Sequence, residues 1–211
     1  GAFDSNTANA QGGVAVVLKP GTGDNSDLHI ADTLKVGCGI NDLEAVRTVI
    51  LDGPVRVREL INWGAVFDSH AGELDLGREA GHSASRVIHA QGDATGKEIV
   101  RALLARLKDS PNVVFHENYF VIDLLTDATR CLGALVFNDV VGLQIIWAKQ
   151  TILATGGCGR LYQETTNPDV ATGDGMAMAW RAGALLQDME MIQFHPTTLY
   201  IAGASRALIS E

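Results

Sequence analysis

A run of strand-like segments flanked by helical patterns does most to limit the folds open to this chain. Short apolar segments occur at Val113–His116, Val121–Leu125, Cys131–Phe137, Gln144–Ala148 and Thr151–Ala154. Strands of this length, separated by turn residues, predict a β-meander. A helical pattern precedes the run and another follows it, and this order is typical of an α/β fold.

The first helical pattern begins near Asn41. Asn41 and Glu44 have the form of a capping box, in which two side chains bond to free N–H groups of the first helical turn. Apolar residues at helical spacing then continue to Gly64. We expect Gly53-Pro54 to break or kink this helix, because proline lacks a backbone N–H and its ring clashes with the preceding turn.

Three further segments complete the order of elements. Val14–Leu18 is a short apolar run and predicts a strand. Thr95 and Glu98 form a second capping box and predict a helix that ends before Pro111. Gly173–Leu186 predicts a helix rich in small residues, which suits close packing.

Composition limits the classes of function. The 211 residues are 46% hydrophobic and carry a formal net charge of −9. That charge argues against a nucleic-acid partner, because phosphate binding depends on clustered Lys and Arg. The three cysteines are far apart, so neither a disulfide framework nor a zinc site is predicted, and we expect a cytoplasmic location. No apolar run reaches the length of a membrane span, so no membrane partner is expected.

The loop Ser5–Gly13 is the first candidate ligand site, since small and amide-bearing residues precede two glycines. Glycine lets backbone N–H groups approach a ligand closely, and Asn, Thr and Gln side chains add hydrogen-bond donors. Such a loop can hold a pyrophosphate or a flavin ring without net charge. The same pattern is also typical of a surface turn that leads into a strand, because a single glycine-rich loop is a weak signal.

Two short motifs near the end of the chain are further candidates. Thr172–Gly175 places Asp174 between glycines, where it can cap a helix or accept hydrogen bonds from a ligand's hydroxyl groups. Gln193–Thr197 places His195 beside a proline, where it can donate to a carboxylate or have a structural role. No second His or Cys lies at ligand spacing, so no metal site is predicted.

The long segment Phe67–Gly96 has little periodicity and many ionisable side chains. Its centre is Arg78–Ser83, followed by Arg86 and His89. A loop of this length is more often functional than idle. It is either a solvated surface loop or part of an anion or substrate site, and no Ser-His-Asp or Cys-His triad stands out in it.

Five motifs, in this order, resemble the flavoprotein-subunit superfamily of succinate dehydrogenase and fumarate reductase. They are Ser5–Gly13, Ala154–Gly157, Thr165–Pro168, Gly173–Gly175 and Phe194–Thr197. The resemblance covers essentially the whole chain. It implies a mixed α/β fold, namely a partial FAD-binding Rossmann-like domain with a β-meander and the start of a capping domain.

Two features are similar to the L-aspartate oxidase branch of that superfamily. Asn6 stands where the succinate dehydrogenase branch has a histidine bonded to the flavin, which implies non-covalent FAD. The loop from Arg78 to Gly96 is similar to the signature in which a glutamate, here Glu79, reads the substrate's amino group; Ala80 and Ser85 differ from its commonest form. A carboxylate there suits an amino-acid substrate, because succinate has no ammonium group.

The resemblance implies oxidation of L-aspartate to iminoaspartate in NAD biosynthesis, with oxygen or fumarate as electron acceptor. It also implies quinolinate synthase as a contact in that pathway. The implied catalytic and substrate residues are Glu79, His195, Ser210 and Glu211. The implied cofactor-binding residues are Asn6, Thr7, Ala8, Asn9, Ala10, Gln11, Gly12, Gly13, Phe120, Val121, Thr155, Gly156, Gly157 and Asp174.

The family pattern extends beyond this sequence on both sides. The chain contains no G-x-G-x-x-G, the fingerprint that grips the pyrophosphate of FAD, and both ends look cut. We expect residues 1–188 to be an FAD-binding domain and residues 189–211 to begin a capping domain. The chain alone is expected to be inactive. The alternatives are a fumarate reductase or succinate dehydrogenase flavoprotein with non-covalent FAD, and a non-catalytic remnant that associates with a partner.

Overall fold

The computed structural model describes residues 1, 3–21, 23–195, 197–199 and 207–208. These fall into two compact units. The described residues within 7–113 form the helical unit, and those within 1–6 and 114–208 form the meander unit.

The helical unit contains three helices and two small antiparallel strand pairs among its described residues. The helices are α1 (Ser26–Val36), α2 (Leu43–Asn62) and α3 (Thr95–Lys108). The strand pairs are β1 (Val14–Ala15) with β4 (Val87–Ile88), and β2 (Ser69–His70) with β3 (Glu73–Leu74). The predicted strand Val14–Leu18 is therefore confirmed only over its first two residues.

The starts of α1 and α2 are fixed by side chains that accept backbone hydrogen bonds. Asn25 Oδ1 accepts from Leu28 N–H at 2.8 Å, and Asp42 Oδ1 accepts from Ala45 N–H at 2.9 Å. Helix α1 was not predicted. For α2 the capping residue is Asp42, so the capping box predicted at Asn41 is wrong by one position.

The break predicted at Gly53-Pro54 is wrong, because α2 runs from Leu43 to Asn62 with Pro54 inside it. A proline costs a helix one backbone hydrogen bond. Packing offsets that cost here, since Ile50 and Val57 on the same helix are both buried.

Helix α3 is confirmed, but its predicted capping box is wrong. Ala94 precedes the helix and supplies no side-chain cap. Thr95 Oγ1 instead accepts from Ala90 N–H at 3.2 Å. Glu98 Oε1 accepts from Val66 N–H at 2.7 Å, which ties α3 to the segment after α2.

The core of the helical unit lies where α2 and α3 meet the chain around β1 and β4. Its buried members are Val16, Val57, Ala65, Phe67, Ile88, Ala90 and Ala102. Full burial of each larger side chain stabilises the fold by roughly 1.5–3 kcal/mol. Part of the long loop Phe67–Gly96 therefore contributes to the core.

The meander unit is built on an antiparallel sheet in the order β5-β6-β7. These strands are β5 (Phe120–Thr126), β6 (Cys131–Asn138) and β7 (Gly142–Trp147), so the predicted meander is confirmed. The strand predictions at Val113–His116 and Thr151–Ala154 are wrong. Both segments are exposed, and neither pairs with another strand in the described part of the chain.

After the meander come α4 (Asp174–Arg181) and the antiparallel pair β8 (Thr198–Leu199) with β9 (Ala207–Leu208). Helix α4 begins after Gly173, which has φ 79°, and ends before the predicted Leu186. The α/β class is confirmed. All strand pairs between described residues are antiparallel, and the Rossmann-like, capping and 1–188/189–211 assignments stay predictions.

Candidate functional site

In the helical unit, the loop of residues 7–13 lies against the amino end of α3. Gly96 N–H, in the first turn of that helix, donates to Ala10 O at 3.0 Å. A β-carbon placed at Gly96 would lie 1.7 Å from Thr7 O, so only glycine permits this approach. The helix end thus fixes the predicted cofactor loop, and the positive end of the helix dipole favours an anionic ligand nearby.

The far end of the loop packs against β4. A β-carbon at Gly13 would lie 2.3 Å from Ile88 O, whereas one at Gly12 would meet nothing within 4 Å. Thr7 and Asn9 are exposed, and Gln11 Nε2 donates to Asp93 Oδ2 at 3.4 Å. The loop combines neutral donors with open space at Gly12, which suits the phosphate and carbonyl oxygens of FAD.

Glu79 lies in the same unit, on the segment between β3 and β4. Its Oε1 is 2.9 Å from His89 Nε2, and both side chains are partly exposed, 46% for Glu79 and 26% for His89. His89 directly follows β4, which pairs with β1 beyond Gly13. The predicted substrate carboxylate therefore contacts His89, which in turn lies next to Gly13 of the cofactor loop.

Arg86 is the most completely buried charge in the described part of the chain, with 0% of its side chain exposed. Its Nε and Nη2 donate to the two oxygens of Asp24 at 3.0 and 2.6 Å, and Nη1 donates to Asp32 Oδ2 at 2.6 Å. His82 Nδ1 lies 3.2 Å from Nη1 and accepts from it. These contacts make Arg86 a structural cation, so it is not free to bind an anion.

The network also sets the ionisation of its members. Hydrogen bonds from the Ser83 backbone and from Arg86 hold the pKa of Asp32 far below its usual range. The hydrogen bonds to Asp24 raise the pKa of Arg86. Burial, with the nearby charge of Arg86, lowers the pKa of His29, whose ring centroid lies 5.6 Å from that of His82.

In the meander unit, the glycine turn Thr155-Gly156-Gly157 packs against the start of α4. A β-carbon at Gly175 would lie 1.8 Å from Thr155 Oγ1. Gly156 has φ 74°, a left-handed conformation that favours glycine. A β-carbon there would lie 3.9 Å from Asn6 Nδ2, so two predicted cofactor residues are neighbours.

Asp174 and the Phe120–Val121 pair also belong to this unit. Asp174 is exposed as the first residue of α4, and Thr172 Oγ1 donates to its Oδ2 at 2.8 Å. The helix-cap alternative for Asp174 is wrong, because Gly173 occupies that position and no side chain caps it. Phe120 is 58% exposed, and Val121 pairs with Val136 in the sheet.

His195 lines a cavity of about 230 Å³ within the meander unit. The walls include parts of two of the five motifs, Thr165–Asn167 and Phe194–His195. The other lining residues are Gly159, Tyr162, Glu164, Ile192, Gln193 and Thr198. Tyr162 and Phe194 meet edge to face with ring centroids 5.1 Å apart. His195 Nδ1 lies 3.2 Å from the backbone nitrogen of Thr197 and 3.0 Å from its backbone oxygen. Thr197 therefore fixes the orientation of the imidazole ring. A cavity of this size suits a small polar ligand.

Several predicted site residues lie outside the described residues, or in different units. Ser210 and Glu211, like Pro196 of the His195 motif, are outside the described part of the chain. Glu79 belongs to the helical unit and His195 to the meander unit, so their proximity stays a prediction. Among the described residues, no group of three or more His, Cys, Asp or Glu side chains is placed to hold a metal ion.

The sequence does not indicate the partners of Arg86. Asp24 lies in a turn-rich segment and Asp32 in a helix that was not predicted, and both are more than fifty positions away. The burial of Arg86 follows from these long-range contacts, and no local sequence pattern predicts them.

No described helix has both the length and the apolar character needed to cross a membrane.

Curated relatives of the chain include L-aspartate oxidases. It is 48% identical to the chloroplastic enzyme of Arabidopsis thaliana, over 93% of the chain and 31% of the relative. It is 46% identical to that of Streptomyces coelicolor, over 99% of the chain and 37% of the relative, and 41% identical to that of Bacillus subtilis, over 99% and 39%. The chain thus spans about a third of the length of the relatives it matches.

Solved structures give the same fold at lower identity. The Mycobacterium smegmatis Sdh1 complex matches 99% of the chain and 38% of the solved chain, with a TM-score of 0.89 and 31% identity. The E. coli quinol fumarate reductase matches 95% of the chain and 34% of the solved chain, with a TM-score of 0.88 and 32% identity. Residues 1–211 also match the profile of the FAD binding domain family from end to end. The chain therefore belongs to the FAD binding domain family.

Proposed function

We propose that the protein containing this chain oxidises L-aspartate to iminoaspartate with FAD as its cofactor. The observation that carries the proposal is the 41–48% identity to L-aspartate oxidases along nearly the whole chain. Identity to the solved succinate dehydrogenase and fumarate reductase chains is lower, at 31–32%. The position of Glu79 beside the cofactor loop supports the same choice, because a carboxylate pairs with the ammonium group of an amino acid.

The described residues fit FAD in two places. In the helical unit, Thr7–Gly13 supplies neutral donors at the amino end of α3. In the meander unit, Asn6 lies by the glycine turn at Gly156, and the exposed Asp174 carboxylate suits a hydroxyl group. We assign backbone contacts with the adenine end to Phe120–Val121. When bound, FAD supplies the acceptor for the hydride that leaves the α-carbon of the substrate.

The roles of the substrate residues follow from their chemistry. Glu79 binds the α-ammonium group and fixes the face of the α-carbon turned towards the cofactor loop. His195 donates to a substrate carboxylate from the wall of the 230 Å³ cavity. Ser210 and Glu211 complete the proposed site. Oxygen or fumarate is the proposed final acceptor of the electrons taken from the substrate. The contact with quinolinate synthase and the cytoplasmic location stay predictions.

FAD is proposed to be held without a covalent bond, since the amide of Asn6 cannot make the histidine–flavin link of the succinate dehydrogenase branch. Acid precipitation of the purified complete protein tests this point. Yellow supernatant and colourless pellet are expected. Flavin that stays with the pellet would show a covalent link elsewhere.

The rival function is succinate oxidation or fumarate reduction, which the fold similarity also allows. Anaerobic titration of the complete, FAD-loaded protein separates the two. We expect L-aspartate to bleach the flavin absorbance and succinate to leave it unchanged. Bleaching by succinate but not by aspartate would replace the proposed function by the rival.

A further inference from the structure

We propose that His89 is a positioning residue, whose imidazole orients the Glu79 carboxylate towards the substrate ammonium and so makes the site selective for an amino dicarboxylate. This inference rests on the proposed function, in which Glu79 binds that ammonium. His89 itself would touch neither substrate nor cofactor in this role.

The hydrogen bond between the two side chains has one direction. An ionised carboxylate has acceptors only, so the proton in the 2.9 Å contact belongs to His89 Nε2. The bond holds Glu79 Oε1 and leaves Oε2 for a second partner. An imidazole N–H orients the carboxylate through one of its oxygens, whereas the fork of a guanidinium can occupy both.

The arginines of the same loop have other partners. Arg78 Nε donates to the backbone oxygen of His82 at 3.0 Å. Arg86 is enclosed by Asp24 and Asp32. Glu79 is instead paired with an imidazole through Oε1, and its Oε2 is left for an ammonium group.

His89 is held more firmly than the carboxylate it contacts. A β-carbon at Gly13 would lie 2.9 Å from His89 Cδ2, and one at Gly77 would lie 3.1 Å from Cε1. The two edges of the ring thus face two glycines, and its tip, Nε2, points to Glu79. The backbone is fixed as well, because His89 O accepts from Asp68 N–H at 2.8 Å.

This arrangement links the two halves of the proposed chemistry. Gly13 ends the cofactor loop, and His89 packs on Gly13 while it holds Glu79. The position of the cofactor loop therefore sets the position of the carboxylate. Since His89 is the less exposed partner, at 26% against 46%, the imidazole orients the carboxylate, and not the reverse.

The test compares His89→Met with His89→Gln in the complete, FAD-loaded protein. Met removes the donor, whereas the Gln amide can replace Nε2–H. For His89→Met we expect the KM and the dissociation constant of L-aspartate to rise about tenfold, as for loss of one hydrogen bond to a charged group. The inhibition constant of succinate, the kcat and the flavin content should each stay within about twofold of the wild-type value. His89→Gln should recover most of the aspartate affinity.

A matched control is His70→Met, since His70 is an exposed histidine of the same unit. It should change none of these constants. If His89→Met weakens the binding of L-aspartate and of succinate equally, or leaves the binding of both unchanged, His89 has no positioning role.

A double-mutant cycle separates this inference from the proposed function. Glu79→Gln should weaken aspartate binding, and adding His89→Met to that variant should cost little more, because the two residues act as a unit. Additive effects would overturn the inference alone. If Glu79→Gln leaves aspartate binding unchanged, the assignment of Glu79 fails and the role of His89 fails with it.

Discussion

At the scale of single residues, the helical unit depends on a charge network that the sequence only partly indicates. The sequence predicts that the polar loop Phe67–Gly96, which contains Arg86, is either a solvated surface loop or part of an anion or substrate site. Arg86 is instead fully buried between Asp24 and Asp32. The ionisable residue types were visible in the sequence, but their partners depend on the tertiary fold and were not.

Removal of the Arg86 side-chain charge should destabilise the protein strongly. Arg86→Met leaves Asp24 and Asp32 without their cation, and breaking a buried ion pair from one side costs about 3–5 kcal/mol. Urea unfolding at neutral pH measures the change. Arg56→Met is the matched control, because Arg56 pairs with Asp52 and Glu59 on the surface of α2 and should matter little. Equal effects of the two substitutions would contradict the account of the network.

His29 predicts a specific dependence of stability on pH. Its pKa is lowered in the folded state, so the unfolded chain binds more protons below the ordinary value of 6.5. Stability therefore rises with pH and is lost as the pH falls below that value. His29→Leu should lose less stability between pH 7.5 and pH 5.5 than wild type. His70→Leu, at an exposed position, should behave as wild type in the same thermal unfolding series.

At the scale of elements, local patterns predicted some structures well and others poorly. The meander was predictable because short apolar strands and their turns are local signals. The strand predicted at Thr151–Ala154 is absent, because a strand also needs a partner, and Ile152 is 89% exposed in a segment without one in the described structure. The continuity of α2 through Pro54 follows from tertiary packing that overrides a local helix-breaking signal.

Contact between α3 and the cofactor loop makes Gly96 a sensitive position. Gly96→Ala would place a β-carbon 1.7 Å from Thr7 O, so the loop or the helix must move. In the complete protein we expect a loss of about 1–3 kcal/mol in unfolding free energy, as for overpacking, together with weaker FAD binding measured by flavin fluorescence.

Gly53→Ala is the matched helical control for Gly96→Ala. A β-carbon at Gly53 would meet Val16 Cγ2 at an ordinary 3.8 Å. This substitution should leave FAD binding unchanged and stabilise the protein by about 0.5–1 kcal/mol, because alanine favours a helix. Stabilisation by both substitutions would show that the loop does not pack on α3.

At the scale of the whole molecule, the five ordered motifs predicted the family more securely than any one element. Each of them alone had an ordinary structural interpretation. Thr7–Gly13 touches α3 and β4 in the helical unit, and the glycine turn Thr155–Gly157 meets α4 in the meander unit.

The 211-residue chain by itself should be inactive. It spans 31–39% of the length of L-aspartate oxidase relatives and contains no G-x-G-x-x-G. We expect weak or no FAD binding and no aspartate-dependent peroxide, whereas the product of the complete coding sequence should have both. Robust turnover by the chain alone would show that these residues suffice. Inactivity of the complete product would favour a non-catalytic, partner-binding role.

Binding of the substrate's ammonium group by Glu79, next to the cofactor loop, is the central proposal for the complete protein. A crystal structure of the complete protein with reduced flavin and L-aspartate tests it most directly, since reduced flavin cannot accept the hydride. We expect a carboxylate oxygen of Glu79 within about 3 Å of the ammonium nitrogen. A structure in which aspartate binds with its ammonium group away from Glu79 would contradict the proposal.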